Sequence, residues 1–349
     1  MEVCNLGDAR AGGLFDVMRI STAPPAELAA ALARLMDERS RRALAERTAR
    51  ISAIYRAGGP TAQAIIDEDD ALAYALYRLP ATYAASIHAL GRLADRAPEF
   101  APRRMLDLGA GLGTASLAAR EVWPEMSENL LLDRSAPFLA LARRLAGETL
   151  AKAEIVAGDL AAPPALGAAF DLVVASYALT EIAEDRLDAA VDAAWRLCAG
   201  ALVLVEPGTP RDHARLMRMR ARLVAAGGRV SLPCPHSAPC PLPAPDWCHF
   251  SVRLARSRDH KLLKGADAPF EDEKFAYLVV TRDDAAVVPA PARLLARPDV
   301  LKHGLRIKLC AATGIEEVTV AKRDKQTFAP IKKKDWGDEV AAGEMSARK

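Results

Sequence analysis

Aromatic residues make up only 5% of this 349-residue chain, so its core has to be built from aliphatic side chains, chiefly Ala and Leu. Cysteine is also sparse. Six in a chain of this length are too few for a disulfide-stapled scaffold. No apolar run reaches the roughly 18 residues that a membrane span requires. The first twenty residues hold Asp8, Arg10, Asp16 and Arg19 without a continuous apolar stretch, which does not read as a secretory signal. A cytoplasmic protein is expected. What is present is a 51% hydrophobic chain, long enough for two modest domains, and this excludes a disordered polyelectrolyte.

Net charge is small, +2 from 47 Lys and Arg against 45 Asp and Glu, but its distribution is uneven. Residues 211–265 carry eleven basic residues against three acidic ones, and residues 302–334 carry nine against three. The rest of the chain is therefore acidic. Arg211, Arg215, Arg218, Arg220 and Arg222 predict a dense cationic helix, and Lys332 to Lys334 a mobile run, both suited to phosphates.

Hydrophobic periodicity divides the chain into four parts: an all-helical region over 1–100, a nucleotide-binding α/β core over 101–210, a basic cysteine-containing region with strands over 211–338, and a tail over 339–349. Residues 1–20 show no period and read as a loose extension. Helical spacing runs from Pro25 to about Gly58, and again from Ala71 to Leu90 with an interruption at Pro80. From Arg103 short apolar runs alternate with Ala-rich stretches, predicting strands at 105–108, 130–133, 154–157, 172–175 and 202–206 in a parallel sheet. Further strands are expected at 250–254, 275–281, 305–309 and 318–321.

The segment Met105-Leu-Asp-Leu-Gly-Ala-Gly-Leu-Gly-Thr114 follows the first strand and opens a helix. Gly109, Gly111 and Gly113 let the backbone turn sharply and approach a ligand. The third glycine arrives one residue too early for a dinucleotide fingerprint. Asp107 beside the loop suits a cationic amine better than a pyrophosphate. S-adenosylmethionine meets both demands, with its amino group toward Asp107 and its carboxylate toward the amides of the helix N-terminus. Asp133, ending the second strand, can accept from both ribose hydroxyls, and Asp159, after the third, from the adenine amine. After the fourth strand, where enzymes that methylate base amines place Asn or Asp before two prolines and an aromatic, this chain reads Ala175-Ser-Tyr-Ala-Leu-Thr-Glu-Ile182. Ser176, Tyr177 and Glu181 are polar candidates there, and no base or nucleophile stands out.

Cys234, Cys240 and Cys248 fall within a proline-rich segment that cannot form a regular helix, and Cys310 is the only other cysteine after Cys198. Four thiolates of this kind point to a four-iron cluster, while His236 or His249 could complete a zinc site instead. Pro233-Cys234 and Pro239-Cys240 come after the fifth strand, too late for the nucleophile of a cytosine-C5 methyltransferase. Cys198 is expected in the core, on the helix before the fifth strand.

Taken with Leu204-Val-Glu-Pro-Gly-Thr-Pro210, Ala268-Pro-Phe-Glu-Asp-Glu-Lys-Phe275 and the stretch from Lys322-Arg-Asp to Trp336-Gly-Asp338, these segments resemble the methyltransferase-like family of small-ribosomal-subunit assembly factors of bacteria and mitochondria. The resemblance spans about residues 25–338. It implies a class I methyltransferase (Rossmann-like) core, association with the small subunit and its RNA, and a four-iron four-sulfur cluster whose ligands match Cys234, Cys240, Cys248 and Cys310. Two functions are then expected to compete: a methyltransferase acting on ribosomal RNA or protein, and a non-catalytic assembly factor that keeps the cofactor pocket. A zinc-bound nucleic-acid module is the third.

Overall fold

The computed structural model describes residues 21–149, 153–282, 287–288 and 292–340. The expected loose extension over 1–20 and nearly all of the expected tail lie outside them.

Five helices come first: α1 (Ala26–Asp37), α2 (Arg41–Arg56), α3 (Thr61–Ala64), α4 (Glu68–Tyr77) and α5 (Leu79–Arg96). The long helical stretch from Pro25 is thus split, because Ser40 accepts from the Ala43 amide and starts a new helix. Pro80 begins α5 rather than kinking a longer helix, since a missing N–H is harmless in the first turn. Helix α5 is buried along most of its length. Its small residues Ala84, Ala85, Ala89 and Gly91 let it lie close against the sheet and the next helix.

The sheet that follows has β1 (Arg104–Leu108), α6 (Thr114–Val122), β2 (Glu128–Asp133), α7 (Ala136–Thr149), β3 (Ala153–Ala157), β4 (Phe170–Ser176), α8 (Glu184–Leu197) and β5 (Cys198–Pro207). These five strands are parallel, in the order β3-β2-β1-β4-β5. Leu172, Val173, Val174 and Ala175 are all fully buried, as a central parallel strand covered on both faces requires. Next come α9 (Pro210–Ala225), β6 (Arg229–Leu232), β7 (Phe250–Ala255), α10 (Arg258–Lys264) and β8 (Phe270–Thr281). Strand β8 runs antiparallel to β5, and β6 and β7 both pair with β8, giving the order 3-2-1-4-5-8-6. In β7 burial alternates residue by residue, the mark of a strand with one face in water.

A second, antiparallel sheet contains β9 (Ala292–Leu294), β10 (Asp299–Leu301), β11 (Gly304–Ala311), β12 (Gly314–Ala321) and, after α11 (Lys325–Lys332), β13 (Glu339–Val340). Leu294, Leu305, Ile307, Leu309, Val320, Ile331 and Val340 form its own small core. The first two residues of the expected frayed tail are therefore a strand on β9. Cys198 opens β5 instead of lying on the preceding helix, and it is buried as expected. Among the described residues no helix is long and apolar enough to cross a membrane.

Candidate functional site

The C-terminal ends of the parallel strands open into a cavity of about 670 Å³. Its floor is the turn after β1. Gly109 has φ +67°, and a Cβ there would stand 2.5 Å from the Cβ of Ala178, so conformation and space both demand glycine. The Gly109 and Ala110 amides donate to the Leu132 carbonyl at 2.8 and 3.0 Å, which fixes the turn to β2. Gly111 (φ +54°) lines the cavity, whereas Gly113 does not, serving instead in left-handed conformation as the N-cap of α6.

Asp107, Asp133 and Asp159 all reach this cavity from successive strand ends. Asp107 is buried, and its Oδ2 accepts from the Ser116 amide (3.0 Å) and hydroxyl (2.8 Å) in the first turn of α6. Burial lifts its carboxyl to about 7 despite those bonds. Asp133 accepts from the Gly111 amide at 2.8 Å and the Ser135 amide at 2.7 Å, so one carboxylate locks the glycine turn to the start of α7. Burial raises its pKa too. Asp159 is opposed by Arg186 at 2.7 Å. Burial would raise its carboxyl, but Arg186 and the Ala161 amide hold it below the ordinary value.

The opposite wall comes from the helical region: Pro60, Thr61, Ala62, Ile65, Ile66, Tyr74 and Thr82. Thr61 donates to Glu181, joining that wall to the segment after β4. Ser176, Tyr177 and Glu181 also line the cavity, yet each polar group is engaged. Ser176 is paired with Ser86 at 2.9 Å. The Tyr177 hydroxyl donates to Glu273 at 2.7 Å, and Glu273 receives both guanidinium nitrogens of Arg78 at 2.8 Å. Burial, then the Glu273 charge, pushes the Tyr177 phenol far above its usual range, so it is no base at neutral pH. Neither Arg78 nor Glu273, far apart in the chain, carried any local signal.

A second, smaller cavity, about 20 Å³, is walled by Cys234, Cys240, Cys248 and Cys310 together with His213, His236, Tyr277 and Arg293. Cys234 follows β6, Cys240 lies on the irregular loop and Cys248 precedes β7. Cys310 arrives from β11 of the other sheet. Among the described residues no group of three or more His, Cys, Asp or Glu stands ready-made to hold a metal ion. Burial drives the Cys248 thiol up to about 11 and raises Cys240 and Cys310, an effect that Arg293 opposes in all three. His236 lines the cavity, but its Nδ1 lies 3.1 Å from the Ala238 carbonyl. His249 is not among the lining residues; its ring sits between Trp247 and Trp336.

The cationic helix is present, but its charges are spent inside the protein. Glu184, Asp188 and Asp192, four residues apart on α8, face it. Arg215 and Arg218 pair with Glu184, and Arg222 pairs with Asp192 at 2.5 Å and Asp188 at 3.1 Å. Arg220 is buried and donates to the His236 and Ala238 carbonyls at 2.8 and 2.6 Å, pinning the cysteine loop. Arg211 turns to Asp212 and Thr180. The expected mobile lysine run is also structured: Lys332 ends α11, and Lys334 donates to the Glu339 carbonyl at 2.5 Å. We therefore expect Arg218→Ala with Arg222→Ala to lower Tm only modestly in a thermal melt, through the lost pairs.

A parallel 3-2-1-4-5 sheet extended by an antiparallel strand between the fifth and the edge, with a glycine turn after the first strand and acids at successive strand ends, defines a class I methyltransferase fold. Residues 68–341 match the family described as Mitochondrial small ribosomal subunit Rsm22, and the chain belongs to that family. It is similar to the human "Ribosome assembly protein METTL17, mitochondrial", at 29% identity over 291 residues, covering 76% of this chain and 61% of that protein. Demethylmenaquinone methyltransferase of Thermus thermophilus matches at 33% over 123 residues, or 34% of this chain and 54% of that one. The chain thus spans between about half and three fifths of the length of these relatives. Among solved structures it is similar to magnesium protoporphyrin IX methyltransferase from Synechocystis PCC 6803 (14% identity, 59% of this chain, 84% of that chain, TM-score 0.38). Precorrin-6y C5,15-methyltransferase from Geobacter metallireducens GS-15 is comparable (19%, 57%, 86%, TM-score 0.37).

Proposed function

We propose that this protein assists assembly of the small ribosomal subunit, keeping S-adenosylmethionine in the larger cavity and an iron–sulfur cluster among the four thiols, without transferring the methyl group. The observation that carries the reading is the meeting of three cysteines of one loop with Cys310 of the second sheet beside the buried Arg293, in a chain of this family. The human relative's description as a ribosome assembly protein supports the partner.

The residues present fit both groups. Gly109, Ala110 and Gly111 line the larger cavity with backbone, and Asp133 holds the Gly111 amide in place there. Four soft thiols and a buried cation suit an anionic metal centre. When bound, S-adenosylmethionine supplies an activated methyl group. Ser176 and Tyr177 are held by Ser86 and Glu273, so neither is free to take a proton from an acceptor, and Glu181, whose Oε2 accepts from Thr61, is the one carboxylate of that segment left to do so. Comparing a deletion strain with its parent by mass spectrometry of small-subunit RNA and proteins decides the point. Unchanged methylation with deficient small subunits is expected, whereas one missing methyl group would make this protein an enzyme.

Asp107 makes cofactor affinity depend on pH. Its neutral form is favoured in the empty cavity, so its contribution to stability is present below the ordinary carboxylate pKa and is lost as pH rises through about 7. An ammonium ligand requires the ionised form instead. Affinity for S-adenosylmethionine should fall about tenfold from pH 8 to pH 6, with proton release on binding. Isothermal titration in two buffers measures this. The slope should flatten in Asp107→Asn, which separates Asp107 from Asp133 and Glu181 on the same cavity.

With α9 neutralised, RNA phosphates need another face. Lys302, Lys322, Arg323 and Lys325 are exposed at one end of the small sheet, where the Lys322 amide donates to the His303 carbonyl at 2.8 Å. Among the described residues none of the four forms an ion pair. If these and Lys332 meet about five phosphates of single-stranded RNA, log affinity should fall with log salt at a slope near −3.5, and each removed charge should flatten it by about 0.7. A slope unchanged by Lys322→Ala with Arg323→Ala rejects this face.

A further inference from the structure

We propose that Arg293 is the built-in counter-cation of the thiol cavity, a positioning residue whose charge makes the cavity select an anionic centre and biases that centre toward its more reduced state. This rests on the reading that the four cysteines hold an iron–sulfur cluster.

Arg293 is 3% exposed, and its Nε and Nη1 have no hydrogen-bond partner. A buried guanidinium left that way is destabilising unless something negative faces it. No Asp or Glu lines the cavity, and the other charged or titratable groups on its walls are His213, His236, Tyr277 and the four cysteines. One acid does lie in register across the sheet, because Glu339 on β13 pairs with Arg293 on β9. Yet Glu339 is taken by Arg92 and Arg96 of α5. On the other side of β9, Arg293 is the register partner of Cys310, so the ladder itself sets the guanidinium beside a thiol. The Phe250 ring, 5.0 Å from the guanidinium, covers another face and offers no countercharge of its own. The cation is thus placed for thiolates and for nothing else among the described residues. Four thiolates around a cluster core would carry a net negative charge, and a neutral residue at 293 would leave Arg220, beside Cys240, as the buried guanidinium still facing it.

The test is anaerobic purification of the full chain as wild type, Arg293→Met and Arg293→Lys, with iron and sulfide per chain, circular dichroism, and reductive titration followed by electron paramagnetic resonance. Arg293→Met should either lose most of its iron while folded or keep it with a reduced-to-oxidised ratio at least about tenfold lower at a fixed potential, a shift of about 59 mV for one electron. Arg293→Lys should stay near wild type in both. Full iron and an unchanged ratio in Arg293→Met overturns the proposal. If Arg293→Met does not fold, Arg293→Lys decides alone: iron and ratio as in wild type support the counter-cation, and loss of iron from folded Arg293→Lys overturns it. Wild type that binds no iron, or binds zinc instead, removes the cluster reading itself, which is a separate outcome.

Discussion

Cys310→Ser should leave this protein folded and almost free of iron. Wild type purified without oxygen should be brown, with broad absorbance near about 400 nm and about four irons per chain, and the variant should be colourless. Three of the four thiols belong to one stretch of chain between β6 and β7, whereas Cys310 stands on β11 of the other sheet. A cluster held by the four thiols would tie the proline-rich loop to that sheet. Removing Cys310 leaves three ligands on a loop whose own restraints, such as Arg220 on the His236 and Ala238 carbonyls, hold its backbone but provide no fourth sulfur. Serine is nearly isosteric, so the small core of Leu294, Leu305, Ile307 and Leu309 should persist. Cys198→Ser is the control, since Cys198 is buried at the start of β5 and lines neither cavity. Full iron in Cys310→Ser would show that the ligand set is wrong.

Gly109→Ala should lower affinity for S-adenosylmethionine at least about 100-fold, or roughly 2.7 kcal/mol, while Gly111→Ala should lower it by about tenfold. The two glycines differ in what surrounds them. Both have positive φ, which alone disfavours alanine by about 1–2 kcal/mol. At Gly111 a Cβ would meet only the Phe138 ring at an ordinary 3.7 Å. At Gly109 it would stand 2.5 Å from the Ala178 Cβ and 3.1 Å from Leu160, so the turn and the segment after β4 have to separate. That movement displaces both the glycine turn and the Ser176–Glu181 wall. Calorimetric titration gives the affinities, and thermal unfolding shows that both variants remain folded. Equal losses at the two positions would mean that conformation, not the Ala178 contact, decides.

The parallel strands were legible in the sequence because each is a short apolar run, and the glycine turn because no other residue tolerates its backbone angles. The helix break at Ser40 was harder to see, since a single cap interrupts an otherwise continuous pattern. Strands β6, β9, β10 and β13 were missed because two to four residues carry no period. Arg211 to Arg222 misled in a different way. Their periodicity gave the helix correctly, but the partner acids Glu184, Asp188 and Asp192 lie about thirty residues earlier in the chain and meet it only where α8 packs beside α9.

Backbone preference and hydrophobic period, which act over a few residues, therefore determined the Rossmann-like core, the run of acids at its strand ends and the cysteine-rich loop from the chain alone. Only the tertiary structure decided which charges face one another. It laid the arginine helix against the acids of α8, committed Tyr177 to Glu273 and set Arg293 against the thiols, because electrostatic partners are chosen by distance in space and burial, neither of which is written in sequence separation.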